Sequence, residues 1–212
     1  FNDPDAFYTC KEQEFQYCLY GIVNYNTDNV LIYLNNFKLP DAAGFNSNET
    51  VERGIYLTNS TGYVVEQNTF DGFDDFQVND DFPCALGIWV DNSGDAANEI
   101  RNNDFNKMKL GTYVTGNNID FIPVVDLEPD TISDQSGLQL LCNTYTNGRI
   151  DIFRDRNTSM RWVQGGNQGT EIISANTSII PAGNRFSADY CSEIAQDFVS
   201  DPDNTYHIDY WC

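Results

Sequence analysis

Three Gly-Ile pairs, at Gly21, Gly54 and Gly87, stand at two equal intervals of 33 residues. Each is followed by an Asn-x-Phe unit, at Asn35, Asn68 and Asn103, which lies 14 residues on in the first two copies and 16 in the third. The extra length falls in the turn Gly94 to Asn98 and leaves the β-rich runs unchanged. In the best-defined copy, Gly54 to Leu57 is one β-rich run, Thr58 to Gly62 a polar turn and Tyr63 to Glu66 a second run, followed by Asn68-x-Phe70. A repeat of this size built from short strands predicts a solenoid, each coil covering the one beneath. Strands must stack while turns point into solvent, so the turns vary and the strands do not. Ile22, Ile55 and Ile88 are then expected one above another in neighbouring parallel strands.

The recurring Asn has a physical use at a corner. Stacked Asn side chains bond each other and the turn backbone, and Asn tolerates the left-handed conformation of a sharp corner. The aromatic two residues later is expected to stack inside the coil on its neighbours above and below. Gly111 to Gly116 opens a fourth copy, interrupted by the stretch Asn117 to Ser136 with its acidic run Asp126 to Asp130. Asn143 with Tyr145, and Asn184 with Phe186, replay the Asn-x-Phe unit.

The words Gly54-Ile-Tyr-Leu-Thr-Asn-Ser60 and Gly87-Ile-Trp-Val-Asp-Asn-Ser93, with the Asn-x-Phe that follows, resemble the right-handed parallel β-helix repeat. They are most similar to those of large exported proteins of Bacteroidetes, which often carry such a β-helix ahead of a type IX secretion sorting domain. The resemblance implies an all-β fold: a single-stranded right-handed parallel β-helix of about five irregular coils. Residues 1–19 are read as an N-terminal cap or the tail of a preceding coil, 20–190 as the β-helix and 191–212 as a closing segment. It also implies a secreted or cell-surface location. The chain opens without an initiator Met and reads as a mature or trimmed product.

A formal charge of −21, from 32 acidic against 11 basic residues, argues against nucleic acid as a partner, because phosphate binding needs clustered Lys and Arg. No apolar run has the length of a membrane span, so membrane insertion is not expected. The six cysteines, Cys10, Cys18, Cys84, Cys142, Cys191 and Cys212, lack CxxC spacing, and with a single His a zinc site is not expected. An even count in an apparently exported chain favours disulfides. The expected pairs are Cys10 with Cys18, Cys191 with Cys212, and Cys84 with Cys142; buried free thiols are the alternative.

Three stretches are candidates for chemistry. In alternating strands with the aliphatics inward, Tyr56, Trp89 and Tyr113 face outward together, a platform for stacking sugar rings or a face covered by loops. Arg149 and Arg154, in a cluster with Arg156 and Arg161, offer a cationic patch for a glycan carboxylate, or pair with nearby Asp residues. Asp71, Asp74, Asp75, Asp80 and Asp81 form an acidic loop: a solvated surface, a set of oxygen ligands for Ca²⁺, or a carboxylate pair for glycoside hydrolysis.

The catalytic words of β-helix enzymes are not matched. His207 is the only His, so the Gly-His-Gly of polygalacturonases is missing, and Gly148-Arg149-Ile150 is followed by Asp151 instead of Lys. Ile88-Trp89-Val90-Asp91-Asn92 resembles a pectate lyase word but has Asn92 where that family has His. The reading is therefore a non-catalytic structural or adhesive module, part of a larger surface protein or assembly, with polysaccharide as a second partner. A polysaccharide lyase or glycosidase is the alternative. Converging carboxylates, or an Arg and a base in one groove, would mark the enzyme.

Overall fold

A computed structural model describes residues 8–16, 20–39, 52–72, 85–94, 96–118, 137–148, 150–155, 158–160, 163–164, 183–187, 196–200 and 209–210. Among these residues there is no helix, and every strand pairing is parallel. The chain is all-β. The first sheet runs in the order β1 (Tyr8–Lys11), β4 (Val30–Tyr33), β7 (Val64–Glu66), β10 (Ala97–Arg101) and β14 (Gly137–Leu141). The second runs β2 (Glu14–Gln16), β5 (Asn36–Lys38), β8 (Thr69–Asp71), β11 (Asp104–Asn106) and β15 (Thr144–Thr146). The third runs β3 (Tyr20–Tyr25), β6 (Glu52–Thr58), β9 (Ala85–Asp91), β12 (Leu110–Thr115), β16 (Ile150–Arg154) and β19 (Gln196–Ser200). From β1 to β12 the chain visits the three sheets in strict rotation, so each repeat lays one rung on each sheet.

Register follows the repeat. Ile22 is the partner of Ile55 and Ile55 of Ile88, as the 33-residue interval predicts. Tyr8 to Gln16, before the first clear repeat, supplies β1 and β2, the end strands of two sheets. Asn117 and Asn118, read as the start of an interruption, instead form β13 (Asn117–Asn118), paired with β17 (Ser159–Met160). Asn118 is fully buried, and its Oδ1 accepts a hydrogen bond from the Ser93 N–H at 2.9 Å.

Two ladders run through the interior between the sheets. The first is polar. Asn35, Asn68, Asn103, Asn143 and Asn184 are all buried. The N–H and Nδ2 of Asn68 both donate to Oδ1 of Asn103 at 3.0 Å, while the same Nδ2 reaches the Ile32 carbonyl at 3.0 Å. Asn103 repeats the pattern toward Asn143 and the Val65 carbonyl, and Asn143 toward Asn184 and the Ile100 carbonyl. Each amide thus satisfies groups one coil below and one coil above, which is what a buried primary amide requires. The left-handed residue is not the buried Asn, as the sequence suggested, but the one before it. Glu12, Leu34, Gln67, Asn102, Cys142 and Gly183 have positive φ at this corner, each immediately before the ladder position. The backbone turns at the exposed residue, and the next side chain is free to bond inward.

The second ladder is aromatic. Phe15, Phe37, Phe70, Phe105 and Tyr145 stack with centroids 4.7 to 4.9 Å apart and planes within 8° of parallel. This spacing is the distance between rungs. The ladder also explains the glycine of each Gly-Ile pair. A Cβ on Gly87 would lie 2.7 Å from the ring of Phe105 in its own coil and 2.5 Å from the carbonyl oxygen of Gly111. Gly21 meets Phe37, Gly54 meets Phe70 and Gly111 meets Tyr145 in the same way. The Gly-Ile and Asn-x-Phe words are therefore two halves of one contact. Where Asp151 takes the next place in the glycine row, the ladder opens: Tyr145 and Phe186 are 5.9 Å apart. The Asp151 carboxylate uses that room to accept bonds from the Ser187 N–H at 2.6 Å and its hydroxyl at 2.8 Å.

Replacing Asn103 by Ala leaves the Asn68 N–H without an acceptor in a dry corner and takes one of the acceptors of its Nδ2. At about 1–3 kcal/mol for each buried orphan, the loss of unfolding free energy in urea is expected to reach about 3 kcal/mol. Asn36→Ala, on the outer face of the second sheet, is expected to change it by no more than about 0.5 kcal/mol. Gly87→Ala overpacks the ring contact, and an unfolding cost of about 1–3 kcal/mol is expected from the same titration.

Candidate functional site

The third sheet carries an outward column. Val23, Tyr56, Trp89, Tyr113 and Phe153 are successive register partners from β3 to β16. Ile55 and Leu57, on either side of Tyr56, are fully buried, so the alternation of the strand sends Tyr56 outward, and Trp89 does the same between Ile88 and Val90. The sequence named Tyr56, Trp89 and Tyr113, and the structure brings all three together and adds Phe153. Their centroids are 4.7 to 5.4 Å apart, close to the inner ladder's spacing, but the planes are tilted by 36° to 41°. Rings lying flat on one another hide their faces. Tilted rings cover one another less, and all four side chains are only half-buried.

Polar groups fix the rings in place. Trp89 Nε1 donates to Thr115 Oγ1 at 2.8 Å, and the Tyr113 hydroxyl donates to Asp155 Oδ2 at 2.9 Å. Burial first, and the Asp155 and Asp91 carboxylates after it, push the Tyr113 phenol well above its ordinary pKa. Tyr113 therefore keeps its proton near neutral pH and is a poor general base. At the other end of the column lies Arg53, which sequence reasoning missed. Its guanidinium carbon is 4.4 Å from the Trp89 ring centroid, 4.8 Å from that of Tyr20 and 5.6 Å from that of Tyr56. Nη1 donates to the Tyr20 hydroxyl. The signal was present: Tyr20 and Arg53 each stand directly before the glycine of a Gly-Ile pair, and the interval makes them register partners.

The other candidates lie apart from this column. Arg154 is the register partner of Val114, a core residue, and is itself only 3% exposed. Burial lowers its pKa, and it does not join the aromatic face. Arg149, Arg156 and Arg161 lie outside the described residues, as do Asp74, Asp75, Asp80 and Asp81. Asp71 ends β8 on the second sheet, where Asn106 Nδ2 donates to its Oδ1 at 3.0 Å. Among the described residues no three His, Cys, Asp or Glu side chains are grouped to hold a metal ion.

Among the described residues Cys10 and Cys142 are free thiols. Cys10 lies in the core end of β1 with its Sγ 3.9 Å from Asn35 Oδ1, and Cys142 is the left-handed corner residue before Asn143. Each takes a place in the repeat that other residues fill in neighbouring coils. Cys18, Cys84, Cys191 and Cys212 lie outside the described residues.

No family model, curated protein or solved structure matches the chain. The resemblance to exported Bacteroidetes proteins thus rests on the repeat words alone.

Two phenols make stability sensitive to alkali. Burial raises the pKa of Tyr63, only partly offset by its bond to Ser93, and Tyr113 is raised as described. The folded chain keeps these protons where the unfolded chain, with ordinary phenols, releases them near pH ~10. Their contribution is whole below pH ~10 and is lost progressively as pH rises from there towards the raised folded values. The melting temperature is expected to fall steeply above pH ~10, and Tyr63→Phe is expected to flatten that fall when melting is followed by circular dichroism.

Proposed function

We propose that the chain winds as a right-handed parallel β-helix and serves outside the cell as a non-catalytic structural or adhesive module that holds polysaccharide on its third sheet. Right-handed winding is the near-universal outcome when a chain returns to the same parallel sheet. The observation that carries the functional reading is the tilted column Tyr56, Trp89, Tyr113 and Phe153. Aromatic side chains placed outward in register across four rungs serve no core, and half-buried rings suit the apolar faces of sugars. The stacked coils supply a rigid backing, so little order is lost when a polymer is bound. The strongly acidic composition and the likeness of the repeat words to those of exported proteins support a place outside the cell, where the module joins other domains or subunits of a larger surface assembly.

The test is affinity electrophoresis through gels containing plant and algal polysaccharides, alongside an assay for new reducing ends. Retardation by at least one polymer is expected, with no release of reducing ends. Trp89→Ala is expected to weaken the retardation about tenfold, the equivalent of about 1.4 kcal/mol, while Tyr33→Ala on the first sheet leaves it unchanged. Turnover of any of these polymers would replace this reading with a lyase or hydrolase.

A further inference from the structure

Arg53 is out of keeping with the chain that carries it. Acidic residues outnumber basic ones by 32 to 11, and Lys11, Lys38 and Arg101 each lie against a carboxylate. Among the described residues Arg53 makes no such pair. Among those residues its side-chain hydrogen bond is the one from Nη1 to the Tyr20 hydroxyl, and Nε is buried without a partner. Three rings hold the guanidinium in place. A guanidinium stays charged at any physiological pH, and ring stacking fixes its plane without consuming its charge.

We infer that Arg53 is the anion-recognising end of the aromatic column, and that the ligand is a uronic acid polymer whose sugar rings lie on Trp89 and Tyr56 while one carboxylate meets the Arg53 fork. This rests on the polysaccharide-binding reading above and names the chemical class of its ligand. With Nε buried, the Nη1 and Nη2 end of the planar fork is the part left to match a planar carboxylate with two parallel bonds. The opposite end of the same face is acidic. Asp91 accepts from Thr115 Oγ1 at 2.9 Å, and Asp155 accepts from Tyr113 at 2.9 Å. One cation beside two carboxylates suits a polymer with a single charge per sugar and disfavours a densely sulfated one. The chain's net charge of −21 repels any polyanion at a distance, but exposed charges are screened beyond about 8 Å at physiological salt, while contact at Arg53 is not.

Calorimetric titration of the whole chain at about 0.15 M NaCl tests this with oligogalacturonate, a neutral dextran oligomer and dextran sulfate. Oligogalacturonate is expected to bind about tenfold tighter than the neutral oligomer, the scale of one hydrogen-bonded charge. Arg53→Gln and Arg53→Lys are both expected to remove that preference and leave neutral binding within about twofold. If Arg53→Gln unfolds, the Lys variant and the preference of the native chain decide. Equal binding of acidic and neutral oligomers, or a Lys variant that keeps the preference, overturns the anion site and leaves the aromatic column standing. Tighter binding of dextran sulfate overturns the choice of carboxylate. Failure of the native chain to bind any of the three removes the polysaccharide reading and this inference with it.

Discussion

A primary amide buried between two coils has four hydrogen-bonding positions to satisfy, and only its own kind and the backbone carbonyls of neighbouring coils to satisfy them. In Asn35, Asn68, Asn103, Asn143 and Asn184 that demand is met by the N–H and Nδ2 of one coil converging on the Oδ1 of the next. Such a network forces register. A slip of one residue between coils would leave every corner with orphaned groups in a dry interior, and a half-satisfied polar network is worse than an apolar one. The ladder therefore fixes how the first and second sheets meet.

Glycine and the aromatic ring fix how the third sheet packs against the second. The ring of each coil rests on the glycine backbone of the same coil and leaves no space for a side chain. The two repeat words are about fourteen residues apart in sequence and in contact in space. The exception tests the explanation: Asp151 stands in the glycine row only where the ladder widens to 5.9 Å, and its carboxylate is bonded to Ser187. The inner and outer aromatic columns share one rung spacing yet differ in tilt. The inner rings are pressed flat by packing on all sides, while the outer ones are held by edge contacts, hydroxyls and a guanidinium.

Much of the proposed site could be read before the fold was known. The outward placing of Tyr56, Trp89 and Tyr113 follows from alternation in strands whose inward residues are aliphatic. Arg53 was harder to see, because its partners come from three coils: Tyr20 below, Tyr56 in its own and Trp89 above. Arg154 misled for the opposite reason. An Arg among Asp residues reads as surface, yet its register with Val114 turns it into the interior. Cys10 and Cys142 occupy ordinary repeat positions, one in register with Ile32 and one at the left-handed corner.

The sequence alone determined the period, the parallel stacking of equivalent residues and the burial of Asn and Phe, since each coil must present the same groups at the same height as its neighbours. Tertiary structure decided what the period does not encode. It put the left-handed corner one residue before the buried Asn, set the tilt of the outer rings, sent Arg154 inward and closed three rings around Arg53. These depend on side-chain volumes and on neighbours about thirty residues away, which meet only once the coils are laid on one another.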